Sequence, residues 1–192
     1  MLGLGTSINT STGKTGSAAG QPAAVMSYYS DFTADADGFD SDGSYGSTEP
    51  TINFNVDNIG GKDDCLSMTL TSEPAGTFYL ERDGTADAAG WKIGDSVSVQ
   101  FEVRFADVAP VNSNDFTFQV RLGGFHSSRR QGISGTADDT WRTVTHTFDD
   151  ITQNSGTSNA NRSFSLAFNS AGSRPANGDI IYIRNVSVIQ SR

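Results

Sequence analysis

Apolar and polar residues alternate strictly in several segments of the chain after residue 28. In 96–105 and 116–122 every second residue is apolar, and these positions are Val97, Val99, Phe101, Val103 and Phe105, then Phe116, Phe118, Val120 and Leu122. Successive side chains of a β-strand point to opposite faces. Each segment therefore predicts a strand with one buried face and one solvent-exposed face.

Shorter segments of the same kind predict further strands, at 65–70, 77–82, 141–148, 163–169 and 179–189. The gaps between them are rich in Gly, Asn, Asp and Pro, which form turns. No segment longer than about ten residues has a helical period. Seven or more strands in one domain predict an all-β, antiparallel sandwich. With a single cysteine the immunoglobulin pattern is incomplete, so we favour a jelly roll.

The first 27 residues have a different composition, dominated by Gly, Ser, Thr and Ala, and show no sustained apolar period. We therefore expect an extended N-terminal arm at 1–27 and a sandwich domain at 28–192. The start of the chain has no basic leader and no apolar core typical of a signal peptide. No apolar run approaches the roughly 20 residues that span a bilayer, so we expect neither a signal peptide nor a membrane anchor.

The formal net charge of −9 argues against nucleic acid or an anionic membrane as the main partner. Carboxylates are concentrated in residues 1–120, whereas Lys and Arg outnumber them in residues 121–192. Copies of the chain could attract one another head to tail and form a homo-oligomer, and the alternative is an ordinary solvated surface. Arg129 and Arg130, in FHSSRRQG, suit an interface with an acidic partner, or else a mobile, solvated loop.

The stretch DADGFDSDG at 35–43 resembles a calcium-binding loop in composition. Neither starting aspartate gives the EF-hand spacing, because Asp40 or Tyr45 then stands where that loop requires glycine. The stretch predicts two Asp-Gly turns with Phe39 between them. A looser calcium site, built from Asp31, Asp35 or Asp37 with distant residues, is the alternative.

Catalytic residues are sparse. The only histidines are His126 and His146, and His146 falls in register with inward-facing apolar residues, which indicates a core position. A glycosidase needs two carboxylates roughly 5–9 Å apart, and the only strand-borne glutamates are Glu81 and Glu102. We therefore expect no enzymatic activity.

The single cysteine, Cys65, excludes an intramolecular disulfide and a multi-cysteine zinc site. Asp63 and Asp64 precede it, and their negative charges should raise the pKa of its thiol. We interpret Cys65 as a small strand residue.

Several outward-facing residues of the central strands carry amide, guanidinium or phenol groups, which suit the hydroxyls and ring faces of sugars. If they share one sheet surface, they form a candidate ligand site of Tyr79, Gln100, Arg104, Gln119 and Arg121, together with Asn169. A plain solvated face, or a surface buried against another subunit, is the alternative.

Five strings resemble known domains when taken together: YYSDFTADADGFDS, VDNIGGKDDCLSMTL, WKIGDSVSVQFEVRF, TWRTVTHTFDD and DIIYIRNVSVI. Their order resembles the carbohydrate-binding-module-like jelly rolls, and more closely the domains of this kind in virion proteins of tailed bacteriophages. The start, MLGLGTSI, is similar to the short starts of such virion proteins. The resemblance implies a jelly roll over about residues 28–190. It also implies a structural calcium between Asp31 or Asp35 and Asp179.

For function, the resemblance implies a non-enzymatic virion protein, such as a capsid decoration or cement subunit. Its arm would bind the major capsid protein or another virion protein, and its sandwich would project from the capsid surface. The alternative is a polysaccharide-binding module, free or on a tail or fibre, that recognises a cell-surface glycan.

Overall fold

The computed structural model describes ten parts of the chain, which are residues 24–43, 50–71, 78–88, 90–106, 116–122, 130–135, 139–149, 151, 164–168 and 178–192. Within these parts there are eleven strands and no helix. Accordingly, the described residues offer no helix of the length and hydropathy that crossing a membrane requires.

Two antiparallel sheets pack face to face. The strands, in chain order, are β1 (Ala24–Ser30), β2 (Phe39–Gly43), β3 (Thr51–Val56), β4 (Cys65–Thr69), β5 (Phe78–Arg82), β6 (Ser96–Ala106), β7 (Phe116–Leu122), β8 (Arg130–Gly135), β9 (Arg142–Phe148), β10 (Phe164–Phe168) and β11 (Ile180–Ser191). The six-stranded sheet has the order β3-β4-β11-β6-β9, with β1 also paired to β11. The five-stranded sheet has the order β2-β5-β10-β7-β8. The predicted all-β antiparallel sandwich is confirmed.

Strand β11 organises the six-stranded sheet. Its residues 180–191 pair with β6 along one edge. Along the other edge, residues 180–183 pair with β4, and residues 186–191 pair with β1. The last strand therefore joins the first, the fourth and the sixth into one sheet.

The apolar pattern of β11 slips by one residue in the middle of the strand. Ile181 and Ile183 are buried at odd positions, whereas Val186 and Val188 are buried at even positions. The pairing with β6 contains a β-bulge at this point, and Asn185 within it has φ 52°. The extra residue of a bulge restores the inward direction of the second half, and Asn tolerates positive φ better than most residues.

The core lies between the two sheets and matches the alternation in the sequence. The five predicted inward residues of β6 are each at most 1% exposed, as are Val120 and Leu122 of β7, whereas the side chains of Phe116 and Phe118 lie outside the described part. Burying an apolar side chain of this size contributes about 1.5–3 kcal/mol. The alternating apolar residues of these strands thus form one part of the core, which residues of the other strands and of the loops complete.

The Asp37-Gly38 turn closes one end of the sandwich. Asp37 and Gly38 have φ 53° and 75°, and the turn delivers Phe39 into the core. There the ring of Phe39 lies 5.4 Å from that of Phe32 and 6.2 Å from that of Phe164, both edge-on. The first predicted Asp-Gly turn is therefore confirmed. The second is wrong, because residues 42–43 continue strand β2.

The structure also corrects the expected domain boundary. Strand β1 begins at Ala24 and pairs with β11 from there onward, although residues 24–27 were assigned to the arm. Residues 1–23 lie outside the described part. Composition alone placed the boundary too late, because Ala24, Val25 and Met26 are consecutive apolar residues and so show no alternation that would mark a strand.

A buried polar network fastens the end of β11 to the loop before β6. The Gln190 side chain is fully buried, and its amide donates to Asp95 Oδ2 at 2.6 Å and to the Gly90 carbonyl at 3.2 Å. Its oxygen accepts from the Asp87 amide at 3.0 Å. Arg192 Nε donates to Asp95 Oδ1 at 2.8 Å. Asp95 is 1% exposed, so these partners compensate the cost of burying its charge.

Asp95→Ala should lower the free energy of unfolding by about 3 kcal/mol, because it leaves the buried Gln190 amide and the Arg192 guanidinium without their shared acceptor. Urea unfolding followed by tryptophan fluorescence measures this difference. Asp83→Ala, at an exposed position, is the matched control and should change it by less than about 0.5 kcal/mol. Equal losses in the two variants would contradict the role given to the network.

Candidate functional site

The predicted ligand residues lie on two different surfaces. Tyr79 belongs to β5 and Arg121 to β7, both in the five-stranded sheet, whereas Gln100 and Arg104 belong to β6 in the six-stranded sheet. The outer faces of two packed sheets point in opposite directions. The expectation of one shared surface is therefore wrong, because alternation reveals which residues face outward but not which sheet a strand joins.

Two small residues occupy the middle of the outer face of the five-stranded sheet. Ser165 and Ala167 of β10 alternate with core residues and so face outward, yet they are only 5% and 1% exposed. Their cross-strand neighbours are Glu81 and Arg121 beside Ser165, and Tyr79 and Gln119 beside Ala167. Other residues must therefore cover this part of β10.

Tyr79 and Arg121 meet over β10. Arg121 Nη1 donates to the Tyr79 hydroxyl at 3.1 Å, and the guanidinium carbon lies 5.2 Å from the centre of the ring. Since β5 and β7 flank β10, this contact spans the central strand and covers its small residues. Both side chains are half-buried and hold each other in place. The pair, called the Tyr79–Arg121 bridge from here on, is a fixed aromatic and cationic surface.

Gln119 and Arg130 take positions beside this bridge in the sheet. Gln119 pairs with Ala167, and Arg130 of β8 pairs with Arg121. The side chains of both residues lie outside the described part, as do Asn169 and Arg129. A mobile, solvated loop was one of the two interpretations of FHSSRRQG, and the structure corrects it for Arg130, which begins a strand.

Arg104 contributes to a structural contact on the other sheet. Its guanidinium lies 3.4 Å from Asp139 Oδ1 and directly against Gly60, where a Cβ atom would collide with it. Trp141 Nε1 donates to the Ile59 carbonyl at 2.7 Å. Residues 59–62 form a tight turn with an Ile59–Lys62 bridge, and these contacts fix it over the outer face of the sheet. Arg104 therefore anchors a loop.

Glu102 lies in an ion-pair cluster on the same face. Its carboxylate is 3.0 Å from Arg184 Nε and 3.4 Å from Lys62 Nζ, and it accepts from Asn185 Nδ2 at 3.3 Å. Glu81 belongs to the other sheet. The two glutamates considered for hydrolysis therefore cannot face each other across one groove.

The aspartates expected to bind calcium have other local partners or lie apart. Asp31 Oδ1 accepts from the Thr33 amide at 3.2 Å, and Asp35 Oδ1 accepts from the Asp37 amide at 2.6 Å. Both therefore stabilise turns through their own backbone neighbours. Among the residues that the structure describes, no group of three or more His, Cys, Asp or Glu side chains could hold a metal.

Asp179 lies far from those turns. It directly precedes β11, whereas Asp31 follows Ser30, which pairs with Val186 near the middle of that strand. At about 3.3 Å per residue, the two aspartates are separated by about 20 Å along β11. The Asp35–Asp37 turn lies still farther along β11, because Asp37 accepts a hydrogen bond from Tyr28, which pairs with Val188. The expected ligand pair of Asp31 or Asp35 with Asp179 is therefore not assembled.

His146 occupies a half-buried position on β9. Its ring lies 4.5 Å from that of Phe148, edge-on, and burial lowers the pKa of its imidazole. This agrees with the inward register predicted for His146, although β9 is an edge strand and leaves the ring partly accessible.

Cys65 is fully buried, and its thiol donates to the Asp63 carbonyl, 3.6 Å from the sulfur. Burial raises the pKa of the thiol to about 11. The expected pKa direction is confirmed, with burial as the largest cause and the charge of Asp63 as a smaller one.

The Cys65 thiol should not react with Ellman's reagent at pH 8 in the native protein, because it is both buried and protonated. It should react fully after unfolding in urea. Absorbance at the wavelength of the released thiolate measures both reactions. Fast labelling of the native protein would contradict the burial of Cys65.

The fold is similar to solved carbohydrate-binding modules. The CBM22-1 xylan-binding domain from Paenibacillus barcinonensis aligns over 91% of this chain and 99% of its own, with a TM-score of 0.52 and 14% identity. The CBM22-1–CBM22-2 tandem domain from the same organism aligns over 91% of this chain and 48% of its own, with a TM-score of 0.53 and 11% identity. No protein-family model and no curated protein sequence matches this chain. The comparison confirms the predicted jelly-roll fold.

Proposed function

We propose that this protein is a non-catalytic polysaccharide-binding module whose ligand binds across the Tyr79–Arg121 bridge. The observation that carries the proposal is the hydrogen bond of 3.1 Å that joins the two side chains over β10. The likeness of the fold to a domain described as xylan-binding supports it as an analogy.

The bridge has the chemistry that sugar recognition requires. The apolar face of a pyranose ring packs on an aromatic ring, and the hydroxyls around its edge need hydrogen-bond donors and acceptors. Tyr79 offers the ring, and the Arg121 guanidinium offers several N–H donors beside it. Because each side chain already restrains the other, binding costs less conformational entropy than it would with free side chains.

The virion assignment implied by the sequence resemblance has no support in the structural comparisons. Of the two arginines expected at a capsid contact, one lies outside the described part and the other begins β8. The polysaccharide reading is supported by both the fold and a formed surface pair. We therefore prefer it to a role in capsid decoration.

Tyr79→Ala should reduce polysaccharide affinity at least tenfold, because it removes both the stacking surface and the acceptor that positions Arg121. Arg121→Ala should reduce affinity by a smaller factor, and Tyr79→Phe should fall between Tyr79→Ala and the native protein. Affinity electrophoresis in gels containing xylan, hydroxyethylcellulose, mixed-linkage β-glucan or alginate measures the retardation of each variant.

Phe54→Ala is the control for a general loss of exposed aromatic surface. Phe54 is 45% exposed and lies on β3, at the edge of the other sheet. Its removal should not change retardation in any gel, and melting curves should confirm that all variants are folded. The proposal fails if the native protein runs freely in all four gels, or if Tyr79→Ala is retarded as strongly as the native protein.

A further inference from the structure

Two complete cross-strand rows on the outer face of the six-stranded sheet contain no charged residue. Across β1, β11, β6 and β9, the first row is Ser27, Ile189, Ser98 and Thr147, and the second is Tyr29, Ser187, Gln100 and Thr145. Seven of the eight are exposed, and Ser187 is half-buried. Four strands at about 4.8 Å spacing make this surface about 14 Å wide. We call these eight residues the neutral face.

The absence of charge is specific to this part of the sheet. The next row, which crosses only β11, β6 and β9, contains the Arg184–Glu102 ion pair, beside Thr143. The chain as a whole carries a net charge of −9. The neutral face consists of hydroxyls, one amide, one phenol and one exposed aliphatic side chain.

Tyr29 is the only aromatic residue of the neutral face, and its position is fixed. Tyr29 is 58% exposed, and its hydroxyl donates to Asn185 Oδ1 at 3.0 Å. The Asn185 amide in turn donates to Glu102 Oε2 at 3.3 Å, and Glu102 pairs with Arg184. The side chain of Asn185, which lies in the β-bulge, therefore holds the exposed Tyr29 side chain in position through a hydrogen bond.

We propose that the neutral face is a second binding surface, specific for neutral polysaccharide, with Tyr29 as the residue on which a sugar ring packs. A held aromatic ring beside a row of hydroxyl and amide groups matches the apolar faces and polar edges of sugars. An ionic partner would find no opposite charge in either row. The exposed apolar residues of the neutral face are Ile189 and Tyr29, with Val25 nearby on β1, and three such residues are less than the apolar core of a specific protein interface contains.

The two surfaces face opposite sides of the sandwich, so one protein molecule can bind two polysaccharide chains and cross-link them. Binding at the neutral face does not depend on the Tyr79–Arg121 bridge, whereas cross-linking requires both surfaces. Each surface therefore has its own variants, and failure of one proposal is distinguishable from failure of the other.

The test uses the full chain carrying Tyr79→Ala and Arg121→Ala, which removes the first surface. In gels containing hydroxyethylcellulose, arabinoxylan or galactomannan, this double variant should remain retarded in at least one. Adding Tyr29→Ala should reduce the remaining affinity at least fivefold, whereas adding Phe54→Ala should not change it. The retardation should be equal at about 0.05 M and about 0.5 M NaCl, because neutral ligands are not screened.

Cross-linking gives a second readout. The native protein should make solutions of the same polysaccharide turbid, and Tyr29→Ala alone should abolish the turbidity while retaining binding through the first surface. The proposal is overturned if Tyr29→Ala changes neither retardation nor turbidity. It is also overturned if sedimentation shows a dimer that Tyr29→Ala dissociates, because a second copy of the chain would then cover the neutral face.

Discussion

The antiparallel pairing of β6 with β11 is the interaction on which the rest of this structure depends. Ten residue pairs join these strands, and each strand lines the core with one face and the solvent with the other. The remaining strands of that sheet pair with one of the two or with a strand that does. The Gln190–Asp95 contact then fixes the end of β11 to the loop that begins β6. A change in the register of this pair would exchange its buried and exposed residues together.

The bulge within that pairing connects the core to the surface. It exists because the apolar residues of β11 change parity, and it places Asn185 where it supports Tyr29 on one side and contacts Glu102 on the other. Core packing thus decides which outward-facing residues are held rigidly. The two outer faces of the sandwich consequently differ: one presents a bridged tyrosine and arginine over small residues, and the other presents an uncharged surface beside an anchored loop.

Long alternating strands were predictable from the sequence, because their apolar period is set by burial alone. All seven strands inferred from alternation are present, with bounds that differ by at most two residues. Strands β1, β2, β3 and β8 were missed. Strands β2, β3 and β8 are sheet edges rich in Asp, Asn or Gly, and β1 opens with an apolar run that does not alternate. The parity change between Ile183 and Val186 was a readable signal for the bulge.

Assignment of strands to sheets was not readable, because it depends on pairing between residues distant in sequence. The sequence analysis placed Tyr79 and Arg121 on one face correctly. It also added Gln100 and Arg104 to that face, and this was wrong because their strand belongs to the other sheet.

The most direct test of this account is a map of amide chemical shifts during titration with oligosaccharides derived from xylan, cellulose and mixed-linkage β-glucan. The account predicts saturable changes that are largest in the outward-facing residues of β5, β10 and β7, around Ala167. Changes confined to the loops, or none with any of the three ligands, would contradict the claim that the outer face of the five-stranded sheet binds polysaccharide.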